Sequence, residues 1–272
     1  MIEEPRQDAS TGGTKDTAAV CPICSGTQFV AGPKGRMSPG GQAPRCASCL
    51  SLERHRAFRT VFDALRQAIV ELNLRPGNPL SEAEVAKRMG VSRQPVRDAF
   101  YRLSQQGFVS IRPQRATVVT PISIEAVHRA RFIRTALELE TVRAAMTNMA
   151  ASDIADLEVL LGKQKKAVER GDRSGFHAFD DAFHSRICEI AGHGHVWALI
   201  RDHKAHMDRV RYLSLQNGAQ LALDDHIEIL GALRSGDEEA AIVRMRAHLG
   251  RIAGIIEEIR AAHSEYFDPD EV

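Results

Sequence analysis

The sequence predicts a mainly α chain: a winged helix-turn-helix followed by an all-α helical bundle, with a small four-cysteine, zinc-ribbon-like segment ahead of both. Three observations predict it. Two short helical patterns flank Gly90 and run into a pair of short strand patterns, helical periodicity then continues almost unbroken beyond residue 122, and four of the cysteines stand in two pairs near the amino terminus. The 272 residues, 43% of them hydrophobic, suffice for about two domains and a small addition. The boundaries follow the pattern changes: a tail over 1–20, the cysteine segment over 21–50, the winged helix over 51–121, the bundle over 122–265 and a second tail over 266–272.

The overall formal charge of +1 conceals an asymmetry. Residues 51–121 hold 12 Lys and Arg against 6 Asp and Glu, whereas residues 122–272 hold 19 against 25. A basic block beside an acidic one suits a polyanion-binding module attached to something with a different task, although ordinary surface charge is an equally simple source of such a balance. Residues 1–20, rich in Thr, Gly, Asp and Ala, predict a disordered tail. No apolar run is long enough for a membrane span and the polar start lacks the apolar core of a signal peptide, so the expectation is a cytoplasmic protein.

Cys21 with Cys24 and Cys46 with Cys49 are separated by 21 residues that include Gly32, Pro33, Gly35, Pro39, Gly40, Gly41 and Pro44. Two such pairs offer four thiolates to a tetrahedral structural zinc from two tight knuckles, and the Gly- and Pro-rich span can bend without a core of its own. Unliganded thiols in a poorly ordered leader are the competing reading, and disulfides suit a reducing compartment less well. The run from Cys46 through Arg56 resembles zinc knuckles found ahead of some methyltransferase domains, but no methyltransferase follows, and Ser25 and Leu50 stand where those knuckles commonly carry glycine. Cys188, within a helical pattern, reads as a small buried hydrophobe.

From about Arg54, the spacing of Phe58, Val61, Phe62, Leu65, Ile69 and Leu72 predicts an amphipathic helix that stops before Pro76 and Gly77. Ser81 then caps a second helix, with Glu84 in capping-box position and Val85, Ala86 and Met89 facing inward. After the Gly90 turn, Ser92 caps a third helix in which Val96, Phe100 and Leu103 supply the core side. Pro95 lies in its first turn, where a missing amide hydrogen costs little. Arg93 and Arg97, four apart, share one exposed face, with Gln94 beside them. Gly107 ends this helix, and residues 108–111 and 117–120 predict two strands around Pro113, Gln114 and Arg115.

Residues 58–121 resemble the winged-helix domain of the GntR family of bacterial transcription regulators. The likeness is carried by the Arg75, Pro76, Gly77 turn, by Leu80, Ser81 and Glu82, by the run over 91–99, and by Gly107, Phe108 and Val109. The resemblance implies DNA contacts from Arg93 and Arg97, helped by Ser92 and by the wing tip at Gln114 and Arg115. An arginine can fork onto guanine O6 and N7 or clamp a phosphate, and a helix amino terminus attracts phosphate. Ala116 replaces a common wing glycine and Ala83 a basic residue of some relatives, so the operator sequence does not transfer.

Beyond residue 122, helical patterns span 124–149, 152–170, 173–191, 195–216, 221–235 and 237–264, predicting a bundle of six or seven helices. Ten of the 11 histidines lie here. Asp180 and His184 are neighbours at i and i+4, while His226 and His248 fall on later helices. One carboxylate and three imidazoles suit zinc, nickel, manganese or iron, though lone helical histidines are more often surface or core residues.

Residues 124–262 resemble the FCD ligand-binding domain of one large GntR branch. Arg134 with Leu137 and Glu138, the run from Phe179 to His184, and Asp225 with His226 ahead of Gly236 and Asp237 carry this likeness. The resemblance implies a divalent metal on Asp180, His184, His226 and His248, and a cavity where Arg134 meets a carboxylate effector. An ion pair with Glu138 on its own helix competes for Arg134. His193 and Gly194 replace a common Asn and Pro, which makes His193, His195, His203 and His206 rival ligands; the simpler reading puts the first two in an exposed loop and the last two at the cavity rim.

Together these parts imply a DNA-binding transcription regulator, a repressor in the simplest case, that reads an inverted-repeat operator as a homodimer under effector control. One rival is a metal-dependent enzyme localised by the winged helix, since metal-bound water can be a nucleophile, but no general-base Glu accompanies Asp180 and His184. The other is an adaptor that docks partners through the cysteine segment.

Overall fold

The computed structural model describes residues 47–112 and 116–270, with backbone alone over 47–51 and 215–217. The expected tail over 1–20, Cys21, Cys24, Cys46, Gln114 and Arg115 lie outside the described residues, and Cys49 is described only as backbone. The winged helix from Arg59 onward and the helical bundle fall within one compact unit, Arg59–Val272.

Helix α1 (Ala47–Val70) starts before residue 51, where the winged helix was expected to begin. No Gly or Pro stands between Ala47 and Pro76, so nothing in that stretch stops the helix from extending toward the amino terminus. Its end places Leu72 at φ 58, strained for a branched side chain, and burial of that side chain holds it there. Strand β1 (Pro79–Leu80) leads to α2 (Glu82–Met89) and α3 (Arg93–Gln105). Ser81 Oγ accepts from Glu84 N at 3.4 Å, and Gly90 closes α2 in the left-handed region at φ 64. Ser92 holds the N-cap position of α3, but its side chain makes no capping hydrogen bond, contrary to the expected cap.

Strands β2 (Val109–Ser110) and β3 (Thr117–Val119) form the expected pair, and the sheet has a third member in the order β1-β3-β2. Leu80 pairs with Thr117 and Val109 with Val119, both antiparallel. Two residues are too few to show an alternation, which is why β1 left no periodic signal. Val61, Leu65, Ile69, Val96, Phe100, Leu103 and Phe108 are buried on the inner faces of these elements.

The bundle comprises α4 (Ile124–Asn148), α5 (Ala151–Glu169), α6 (Arg173–Ile190), α7 (Gly194–Ser235) and α8 (Glu238–Ala262). It has five helices among the described residues rather than six or seven, because the patterns over 195–216 and 221–235 are one helix of 42 residues. An interior glycine such as Gly218 costs about 1 kcal/mol relative to alanine. Burial on both sides outweighs it: Met207 and Val210 enter one core cluster, and Ala222, Leu223, Ile229 and Leu230 enter another. The segment expected as a loose tail from residue 266 is tied down instead. Ile122 N donates to the Tyr266 carbonyl at 2.8 Å, Asp268 N donates to the Ile122 carbonyl at 3.0 Å, and Phe267 is buried with Ile122, Val127 and Ile256. A single aromatic near a chain end carries no periodicity from which this docking could be read.

Candidate functional site

The first turn of α3 exposes Ser92, Arg93, Gln94 and Arg97, as the sequence predicts. Pro95 and Val96 are buried and anchor this turn, so the polar residues between and beside them must face outward. Arg97 holds Glu82 of α2 through both its Nε (3.3 Å) and Nη2 (3.1 Å), and Gln94 donates to Asp98 at 2.8 Å. The uncommitted Ser92 hydroxyl and the helix amino terminus are both suited to a phosphate.

A second group of polar residues is buried in the bundle. Asp180 and His184 come from α6, His226 from α7 and His248 from α8, and one ligating atom from each lies within 4.8 Å of all the others. All four are buried, in an interior where unpaired polar atoms are costly. The helical spacing on α6 brings Asp180 and His184 to one face, and packing of α7 against α6 and of α8 against α7 and α4 supplies the rest.

The surroundings set the tautomers of His226 and His248. Gln164 Nε2 donates to the Phe179 carbonyl at 3.1 Å, which orients its amide so that Oε1 accepts from His226 Nδ1 at 2.7 Å. Asp225 Oδ2 accepts from His248 Nδ1 at 3.1 Å, and Glu138 Oε2 lies 2.5 Å from His184 Nδ1. Burial alone would push the Glu138 carboxyl up, but Arg134 and His184 override it and hold it at about 2, so it is an acceptor. With the Nδ1 atoms of His226 and His248 donating to acceptors, their Nε2 atoms are left as lone-pair acceptors. His226 Nε2 and His248 Nε2 stand 3.2 Å apart, and both ring nitrogens of His184 are buried without a hydrogen bond.

Burial lowers His226 well below the usual imidazole range and brings His248 down to about 4, so both are neutral at pH 7. Facing lone pairs with no proton between them are unfavourable, and a divalent cation relieves them. Asp180 completes the set, with Oδ1 at 3.6 Å from His226 Nε2. Burial opposes its ionisation, yet the Arg211 guanidinium, bidentate at 2.7 and 3.0 Å, keeps it well below the usual carboxylate range. The donor set therefore fits a divalent metal.

A cavity of about 140 Å³ borders this cluster, and Arg134, Arg211 and His248 line it. Arg134 Nε donates to Glu138, as the simpler reading predicted, while its Nη2 is buried without a partner, so the ion pair leaves part of the guanidinium available. Among the rival histidines, His193, His195 and His203 stand apart from the cluster, the first two exposed. His203 and His206 line a different cavity, with Arg102, Gln106 and Asp202, where α7 meets the winged helix. Asp181 pairs with the buried Lys204 at 2.7 Å rather than joining the cluster. Cys188 is buried, and burial pushes its thiol up to about 11.

Gln164, Arg211 and Asp225 belong to the site without having been singled out as ligand partners from the sequence. Gln164 is 62 positions from its partner His226, and Asp225, next to His226 in sequence, serves His248 instead. Only the i, i+4 pairing of Arg134 with Glu138 left a readable signal.

Helix α7 also reaches the winged helix. Arg209 donates to the Thr120 and Pro121 carbonyls at 2.8 and 3.2 Å, Asp202 accepts from Arg102 at 3.2 Å, and His206 Nε2 lies 2.8 Å from the Gln106 carbonyl. The helix that provides Arg211 and His226 thus also grips the winged-helix module.

Residues 58–119 match the model of the gntR family of bacterial regulatory proteins, and residues 130–251 match the FCD domain. The chain is 38% identical over 212 residues to the HTH-type transcriptional repressor RspR of Escherichia coli, covering 77% of this chain and 93% of that protein. It is 36% identical over 214 residues to an HTH-type transcriptional regulator in an unstable DNA locus of Streptomyces ambofaciens, covering 78% and 90%. Among solved structures it resembles E. coli McbR/YncC, with TM-score 0.65 and 23% identity over 74% of this chain and 97% of that one. A putative transcriptional regulator from Rhodococcus has the same fold, with TM-score 0.61 and 24% identity over 76% and 99%.

Proposed function

Because the chain belongs to the GntR family of bacterial transcription regulators, with an FCD domain behind its winged helix, we propose that it is a repressor whose operator binding is relieved by a small carboxylate at a divalent-metal site in the bundle. Its relatives are named as transcription regulators, so the enzyme alternative gives way to regulation.

The observation that carries this reading is the convergence of the buried Asp180, His184, His226 and His248, with His226 and His248 turning Nδ1 to acceptors elsewhere and Nε2 toward each other, beside the unpartnered Arg134 Nη2. Asp180, His184, His226 and His248 would hold the metal, which supplies coordination positions that a chelating carboxylate can fill. Arg134 offers a guanidinium that is itself buried to the same anion, and its removal from water strengthens that attraction. Arg211 stands on Asp180 and on the cavity wall at once, so an anion arriving there changes the balance of charge on α7. The same helix carries Asp202, His206 and Arg209, whose contacts set the pose of the winged helix. Two recognition helices of a homodimer then fit an inverted repeat only in one of these poses. Effector and operator must alter each other's affinity by the same factor.

The deciding experiment is metal content per chain by elemental analysis of the wild type, of His226→Ala, and of Cys21→Ser with Cys24→Ser. Two metals, one lost with each variant, are expected if the bundle site and the cysteine segment both bind. A wild type with no metal sensitive to His226→Ala overturns the bundle site. Gel-shift titration against genomic fragments, with and without added hydroxy acids, tests the repressor reading, and size measurement in solution tests the homodimer.

A further inference from the structure

The cavity beside the four-residue cluster has two unlike parts. Arg134, Arg211 and His248 belong to the polar cluster, while Met207, Leu249 and Ile252 continue the two apolar cores of the bundle. Leu221, 49% exposed, stands where the cavity opens, and Arg251, paired with Asp225, is the exposed charge among its lining residues. Ser214 is the one hydroxyl side chain in the described lining, and it donates to the Arg211 carbonyl at 2.9 Å. Beyond the carboxylate-binding end, the described wall is made of Met207, Leu221, Ala222, Leu249, Ile252 and Ile255, none of which has a side-chain group that satisfies a ligand hydroxyl.

We propose that the effector is a small monocarboxylate with an apolar tail, its carboxylate beside Arg134 and its tail packed against Met207, Ile252, Ile255 and Leu221, and that polyhydroxylated sugar acids are disfavoured. This deepens the carboxylate reading above and rests on it. The size agrees: a cavity of about 140 Å³ is far below the range of drug-sized sites, and a comparable engineered cavity in another protein, at about 150 Å³, takes up benzene. Each hydroxyl carried against these apolar side chains loses its water and finds no partner among the described lining residues there, whereas each methylene gains from leaving water. The unpartnered Arg134 Nη2 supplies the opposite requirement, a buried donor that only an acceptor satisfies.

Calorimetric titration of the metal-loaded full chain tests the assignment with 2-hydroxy-4-methylpentanoate and threonate. The two have the same charge, the same number of non-hydrogen atoms and the same α-hydroxy acid head, so they differ in the tail alone. Lactate serves as the reference without a tail. We expect 2-hydroxy-4-methylpentanoate to bind at least tenfold more tightly than threonate, and straight-chain 2-hydroxy acids to tighten by about fourfold per methylene until the cavity is full. Leu221→Asn and Ile255→Asn, neither fully buried, should shrink the preference of 2-hydroxy-4-methylpentanoate over threonate severalfold. Threonate binding as tightly as its partner, or a preference untouched by both variants, overturns the apolar-tail assignment and leaves the carboxylate reading standing. Failure of all three acids to bind the metal-loaded chain overturns both.

Discussion

The imidazole of His206, on α7, stacks on the Phe108 ring of the winged helix with centroids 4.4 Å apart and planes 15° from parallel. Gly107 precedes the stack at φ 78, a left-handed conformation that favours glycine and turns the chain from α3 into β2. The stack joins the helix that carries Arg211 and His226 to the corner between α3 and β2.

Burial lowers His206 to about 4, against the pull of its contact with the Gln106 carbonyl. A group with a folded pKa below its unfolded value of about 6.5 stabilises fully above that value and loses the contribution as pH falls toward the folded one. The thermal midpoint should therefore fall between pH 6.5 and about 4 more steeply in the wild type than in His206→Phe, which keeps the stack and cannot titrate. Parallel profiles for the two proteins would show that His206 does not titrate against the junction.

Arg93→Ala and Arg97→Ala should each cost about 1–3 kcal/mol in operator binding where a base contact is lost, read by gel shift at fixed salt. Glu82→Gln releases Arg97 from an exposed ion pair worth about 0–1 kcal/mol, so its effect on stability should be small. Undiminished specific binding by both arginine variants would remove the recognition-helix assignment.

Gln164 reaches the proposed metal only through His226, yet it sets which ring nitrogen carries the proton. Loss of such a partner typically weakens metal affinity by about 10–100-fold. Gln164→Leu should show that loss in competition with a chelator, whereas His226→Ala should abolish binding at this site. Equal metal affinity in wild type and Gln164→Leu would mean that the tautomer is set by other means.

Phe267 closes the cluster around Ile122 at the junction of wing and bundle. Truncating a buried phenylalanine costs about 3–5 kcal/mol. Phe267→Ala should lower stability by that order in denaturant titration, and a change within experimental scatter would show that the carboxy-terminal segment does not dock.

The sequence made legible what periodicity and short spacing encode. The winged helix was readable because Ser81, Gly90 and Pro95 punctuate α2 and α3 and because Arg93 and Arg97 fall on the face opposite Val96 and Phe100. Asp180 and His184 were readable as a pair because four residues make about one helical turn. His226 and His248 required the family resemblance, since nothing local distinguishes them from His203 or His206.

By itself, then, the sequence determined the order of helices, the basic and acidic halves, and the residue types able to read DNA or hold a metal. Tertiary structure alone decided which of those residues meet. It ran α7 straight through Gly218, because burial on both sides outweighs one flexible residue, and it sent His206 to Phe108 while His226 went to Gln164 and His248. It also paired β1 with β3 and docked Phe267, both too short to leave a periodic trace. The physical reason is the same in each case: local propensity acts over a turn or two of chain, whereas hydrogen bonds and burial between distant segments exist only once the core has formed.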